Sequence, residues 1–308
     1  METTVLKGEL TKERILTETK KEIAELSGKY NKRPGIAFIG FTGVPLAKYS
    51  IPLHIQLATE LGFKVTTEMK PENVTEEELY TLIDALNNDD SINAIVILQP
   101  MPAHLDAFRI MGRIDPDKEV EGFHPKNLMG TILPEAHNNK YPMCLPTALI
   151  EIFREGNIQV EKDQEFVFLV DDEFFLNPLT NMIVRASSMK VVPGNCSVTY
   201  VNKNSDNCIA YCKRADYLIV VTKYPEYVKP EWLKPGVCII DIYSNLVKEV
   251  PSKNNPEKLV PVIRGGVNID SVMNIAGTIL PIPGGLMTVV LTILLNNAMI
   301  SFKNSVTL

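Results

Sequence analysis

The stretch Phe166-Val167-Phe168-Leu169-Val170-Asp171-Asp172-Glu173-Phe174-Phe175-Leu176-Asn177-Pro178 reads as a strand followed by an acidic loop. Its first five residues are apolar and rich in aromatic and β-branched types, which suits a strand buried on both faces. A helical stretch follows from Pro178 to Ala186. Working outward, strand-like runs recur at Ser197 to Val201, at Tyr217 to Thr222 (YLIVVT) and at Val237 to Ile242 (VCIIDI). Strands that alternate with helical stretches predict a parallel, doubly wound α/β sheet.

The N-terminal half carries the same alternation. Leu10, Ile15, Leu16, Ile23 and Leu26 recur at helical spacing over residues 9 to 27. Ile36 to Ile39 suits a buried strand, and a loop runs from Gly40 to Pro45. A helix is expected from about Ser50 to Leu61, closed by Gly62, with the next strand from Phe63 to Thr67. Thr75 and Glu78 form a capping box ahead of Leu79, Leu82, Ile83 and Leu86. Ile92 to Leu98 is a buried strand that delivers Gln99-Pro100-Met101-Pro102 at its carboxyl end, where sites in α/β proteins form. A further helix is expected from Thr147 to about Glu155.

Near the end of the chain, Pro281-Ile282-Pro283-Gly284-Gly285-Leu286-Met287-Thr288 has loop chemistry. Two prolines stiffen it and two glycines let it turn or let a ligand approach the main chain. It is either a rigid turn into a core helix or a binding loop. Thr288 is a plausible cap for the apolar run behind it, which meets Asn296 and Asn297 too soon to span a bilayer.

Composition narrows the function classes. At 308 residues with 45% hydrophobic content the chain can hold two ordinary cores. The formal net charge of −6, with lysines and arginines dispersed, argues against nucleic acid or an anionic membrane as partner. The five cysteines form no CxxC pair and the four histidines are scattered, so no metal is expected and a reducing, cytoplasmic setting fits. No signal or transit peptide is recognisable at the start. His104, His124 and Trp232 fit loop anchors and packing, and Cys144 fits a buried thiol.

Four stretches, in order and covering nearly the whole chain, resemble the methylenetetrahydrofolate dehydrogenase/cyclohydrolase family. They are RPGIAF with GVPLAKYSIPLHIQLATELGF, LQPMPAH, IDPDKEVEGFHPKNLMG, and LPIPGGLMT. The resemblance implies an N-terminal α/β domain (1–147 with 279–308) that binds folate, a Rossmann-like domain (148–278), and a cleft at their junction. It also implies a homodimer, a tetrahydrofolate derivative as substrate or ligand, and NADP or NAD as cofactor.

Carried over position by position, the family's catalytic lysine falls on His54 and the glutamine that hydrogen-bonds it falls on Leu98. The stacking tyrosine falls on Ser50, with Tyr49 adjacent; one residue of shift turns a helical side chain by about 100°. Lys48 is expected in the preceding loop. The aspartate that grips the pterin-like ring becomes Glu121. The proline-glycine loop supplies Pro283, Gly284 and Gly285 to the folate side, two residues shorter than the family form. The cofactor loop GRSxxVGxP becomes the acidic stretch quoted above, matching only at Pro178. Three consecutive acids repel a pyrophosphate, although Asp171 or Asp172 could take a ribose diol. Lys223 replaces a glycine after its strand. A member of this family in tetrahydrofolate one-carbon metabolism, with the cyclohydrolase step lost, is therefore expected. The alternative is a non-catalytic homologue that binds folate or a partner.

Overall fold

The structure is a computed structural model that describes residues 2–132, 141–171 and 196–307. It forms two compact units, each assembled from separated stretches: Met1–Lys12 with Leu145–Val290, and Glu13–Cys144 with Leu291–Leu308. Elements are numbered over the described residues.

The first unit is built on a six-stranded sheet of β1 (Thr4–Val5), β5 (Glu165–Val170), β6 (Ser197–Asn202), β7 (Tyr217–Val221), β8 (Cys238–Asp241) and β11 (Thr278–Leu280). The spatial order is β1-β11-β8-β7-β5-β6 and every pair is parallel. Phe166 to Leu169 and Leu218 to Val221 are completely buried, which accounts for their unbroken apolar runs. One core cluster joins Val167, Leu169, Leu218, Val220 and Ile239 to Cys208 and Cys212 of helix α7 (Cys208–Cys212). Helices α6 (Cys144–Glu155) and α8 (Ile269–Val272), a 3-10 turn (Pro230–Trp232) and a bulged antiparallel hairpin of β9 (Asn245–Pro251) and β10 (Leu259–Arg264) accompany the sheet.

The second unit holds a three-stranded parallel sheet of β2 (Gly35–Phe41), β3 (Lys64–Lys70) and β4 (Ala94–Ile97), in the order β3-β2-β4. Its helices are most of α1 (Glu9–Tyr30), then α2 (Ala47–Leu61), α3 (Glu76–Asn87), α4 (Ala107–Met111), α5 (Pro125–Ile132) and most of α9 (Leu286–Thr307). The capping box forms as expected: the Glu78 N–H donates to the Thr75 hydroxyl at 3.2 Å, and the Glu78 carboxylate accepts from the Thr75 N–H at 2.8 Å. Ile39, Ile83, Ile95 and Ile97 share one buried cluster.

Three expectations are corrected. Helix α2 starts at Ala47, so Lys48 lies in the helix and not in the loop. Helix α9 starts at Leu286, so Thr288 lies in its first turn and not at its cap. The same helix continues through Asn296 and Asn297 and is long and apolar enough to cross a membrane, yet most of its apolar window is buried in the protein. Asn296 accepts from the Thr19 hydroxyl, and buried Asn297 donates to the Val120 and Pro142 carbonyls, so neither amide ends the helix. Residues 1–12 and 279–290 group with the six-stranded sheet because β11 pairs with both β1 and β8. The helix expected over Pro178 to Ala186 lies outside the described residues, as do Asp172 and Pro178.

Candidate functional site

In an open parallel sheet the ligand crevice opens at the carboxyl ends of strands flanking a reversal of strand order. In the three-stranded sheet that place is the end of β2 and β4. Leu98 continues the β4 ladder by donating its N–H to the Ile39 carbonyl at 2.9 Å. Alternation puts Leu98 on the face opposite Ile95 and Ile97, the face shared with Ala94 and Val96. Helix α2 contributes His54, whose ring meets Phe38 edge-on at 5.6 Å. Tyr49 and Ser50 occupy the turn before it, both half-buried, and the Lys48 ammonium lies 5.0 Å from the Tyr49 ring.

His54 is held in one tautomer. Its Nδ1 lies 2.7 Å from the Ser50 carbonyl, one turn back. A carbonyl only accepts, so Nδ1 carries the proton and Nε2 presents a lone pair. Burial pushes the imidazole below its usual titration range despite that hydrogen bond. The residue is thus a neutral acceptor at neutral pH and not a cationic donor.

Glu121 stands at the same end of the sheet. A parallel bridge pairs Ile95 with Glu119, and that register carries Glu121 to the level of Ile97. Buried Glu119 is fully engaged, accepting from the N–H groups of Glu121, Gly122 and His124 and from the Asn127 amide. Among the described residues the Glu121 carboxylate has no such donor. Burial, with the Glu119 charge beside it, pushes its carboxyl up to about 8. Cys144 donates its N–H to the Glu121 carbonyl, and its thiol, raised by burial and by both glutamates, rests on the Val120 carbonyl at 3.5 Å. His104 and His124 are loop anchors: the first bonds the Val74 carbonyl, and the second accepts from the Lys126 N–H.

In the six-stranded sheet, β5 lies between β6 and β7, so the reversal falls at the ends of β5 and β7. The first residue after β5 is Asp171. Its Oδ2 accepts from the Thr222 hydroxyl at 2.5 Å and from the Lys223 N–H at 2.9 Å. Its Oδ1 faces the Lys203 ammonium at 3.8 Å, with the two side chains only 10% and 14% exposed. Lys203 also donates to Asn204 and lies 4.2 Å from the Tyr224 ring.

The proline-glycine loop explains its own glycines in part. A Cβ on Gly285 would fall 2.4 Å from the Pro281 carbonyl oxygen, which itself accepts the Gly285 N–H at 2.8 Å. Gly284 has φ +95° and open space where a Cβ would be. Its carbonyl accepts from the Gly8 N–H at 2.9 Å. Pro283 follows a cis peptide bond. The close approach at Gly285 is therefore needed by the fold, whereas Gly284 faces open space. Among the described residues no cluster of histidines, cysteines and acids could hold a metal ion.

Sequence profiles of the two domains of one family match. Residues 6–121 fit the tetrahydrofolate dehydrogenase/cyclohydrolase catalytic domain, and residues 143–306 fit the NAD(P)-binding domain of the same family. The chain belongs to the tetrahydrofolate dehydrogenase/cyclohydrolase family. Among relatives, the bifunctional protein FolD of Desulfosudis oleivorans is 36% identical over 98% of both chains. FolD of Desulfatibacillum aliphaticivorans is 37% identical over the same share of each. The fold is also that of Trypanosoma brucei FolD, solved with NADP and an inhibitor, at 24% identity, TM-score 0.86 and full coverage of both chains.

Against this family, several residues of the site escaped the sequence. Glu119 is the acid that organises the Glu121 loop, and Asn297 joins that loop to α9. Lys203 and Thr222 were also missed as partners of Asp171. The signal for these two was positional, since Asp171, Lys203 and Thr222 are each the first residue beyond a strand of one parallel sheet.

Proposed function

We propose that this chain binds a tetrahydrofolate derivative as a member of folate one-carbon metabolism and does not carry the cyclohydrolase step. Family membership supports the ligand class. The observation that carries the loss of hydrolysis is the 2.7 Å contact from His54 Nδ1 to the Ser50 carbonyl. It commits the only ring proton of a neutral imidazole, so the position of the family lysine offers no donor to a developing charge. Apolar Leu98 adds none. Glu121, desolvated and free of a competing donor among the described residues, supports a group reserved for a ligand. From the same likeness we infer a cytoplasmic homodimer.

The test is a hydrolysis assay with methenyltetrahydrofolate beside a binding titration with a folate analogue. The analogue should bind, and hydrolysis should equal the buffer rate for both the natural chain and His54→Ala. Enzymatic hydrolysis that disappears in His54→Ala would overturn the loss of the step, while absence of analogue binding would overturn the ligand class.

A further inference from the structure

A dinucleotide bound to a Rossmann-type sheet places its phosphates at the strand-order reversal, on main-chain N–H groups and positive side chains. In this chain the reversal lies at the ends of β5 and β7, and three donors there among the described residues are already engaged. The Lys223 N–H and the Thr222 hydroxyl point at Asp171 Oδ2, and the Lys203 ammonium faces Oδ1. The backbone closes the same place. Asp171 donates its N–H to the Val221 carbonyl at 2.9 Å, and Lys203 donates its own to Val170 at 3.3 Å, so three strand ends are joined one residue beyond the sheet. Tyr224 covers the lysine from one side, and the Tyr227 hydroxyl donates to the Lys203 carbonyl at 3.2 Å.

We propose that Asp171, Lys203, Thr222 and the Lys223 N–H form an internal anion lock. Its carboxylate takes the place of a cofactor phosphate, so the unit does not hold NAD or NADP at its strand-order reversal. A phosphate entering there would lose its donors to Asp171 and meet a buried negative charge. Without a nicotinamide there is no hydride acceptor, so no hydride-transfer step is assigned to the chain. The lock rests only on strand ends of the six-stranded unit and is independent of the folate reading.

The test uses the full chain and its unfolding midpoint, because any ligand that binds the native state raises it with concentration. NAD, NADP and inorganic pyrophosphate are the probes, titrated to millimolar levels. The natural chain should show no shift with any of them. Asp171→Gly, which removes the carboxylate and leaves the three donors, should gain a pyrophosphate-dependent upward shift that Lys203→Gln in the same chain abolishes. A shift of the natural chain with NAD or NADP overturns the proposal. So does an Asp171→Gly chain, folded by circular dichroism, that ignores pyrophosphate. Should that variant not fold, Asp171→Asn keeps the shape without the charge and should gain the same response; its silence also overturns the lock. A folate analogue run beside them keeps the two readings separable, since its shift is expected whatever the nucleotide probes do.

Discussion

Glu121 and Glu119 are two residues apart, have the same side chain, and behave differently. Glu119 accepts four protein donors, while Glu121 has burial and a like charge to contend with. A carboxyl raised from 4.5 to about 8 stays protonated in the folded chain while the unfolded chain is ionised. The unfolded state then binds fewer protons, so the stability contribution is fully present below pH 4.5 and is lost as pH rises through about 8. Between those two values, where the states differ by one proton, the slope approaches ~1.4 kcal/mol per pH unit. Urea unfolding at pH 5 and pH 8 should show the natural chain losing more stability than Glu121→Gln across that interval; equal losses would show that the carboxyl is ionised in the fold. The KEVEG stretch singles out position 121 by resemblance. That Glu119 would be the anchored acid was not legible there, because that depends on the bridge to Ile95 and on four donors that converge only in three dimensions. Position 54 is singled out in the same way, but its tautomer depends on the Ser50 carbonyl lying within reach of the ring.

Among the elements, α9 shows how a polar pair can mislead a reading by composition. Asn296 and Asn297 looked like the end of an apolar run, yet each has a partner in the second unit, and Asn297 serves two carbonyls from a position only 1% exposed. Asn297→Leu keeps the volume and removes both donations, leaving the buried Val120 carbonyl with only the weak Cys144 thiol contact, at a cost of ~1–3 kcal/mol. A lowered urea midpoint with an unchanged m-value is the expected result, and an unchanged midpoint would show that the amide is replaceable. The buried strands are easily read, since FVFLV, YLIVV and AIVIL are continuous apolar runs. The β9–β10 hairpin is not, because Val247 and Leu259 are exposed and Lys248, Glu249 and Pro261 interrupt its pattern. Helix α7 follows a polar stretch and spans only Cys208–Cys212, too short for a period to emerge.

For the whole molecule, the fold class follows from the alternation of strands and helices, but the partition of the chain does not. Contacts between β1 and β11 join residues 4–5 to residues 278–279, a pairing that no local pattern announces. The chain passes between the units at 12–13, 144–145 and 290–291, each time within a helix: α1, α6 and α9. Each unit therefore draws on both the early and the late parts of the sequence. During synthesis the N-terminal β1 must wait for β11, and the three-stranded unit must wait for the last stretch of α9. Contacts of such sequence separation slow folding and extend the time that apolar surface stays uncovered. A chain stopped after Gly285 should thus leave both units incomplete instead of yielding one folded and one missing. Limited proteolysis of that truncated chain should give no resistant fragment. Survival of a stable six-stranded unit would show that its first turn of α9 is dispensable. For the cell that makes it, premature termination near the end would turn the whole polypeptide into a chaperone client.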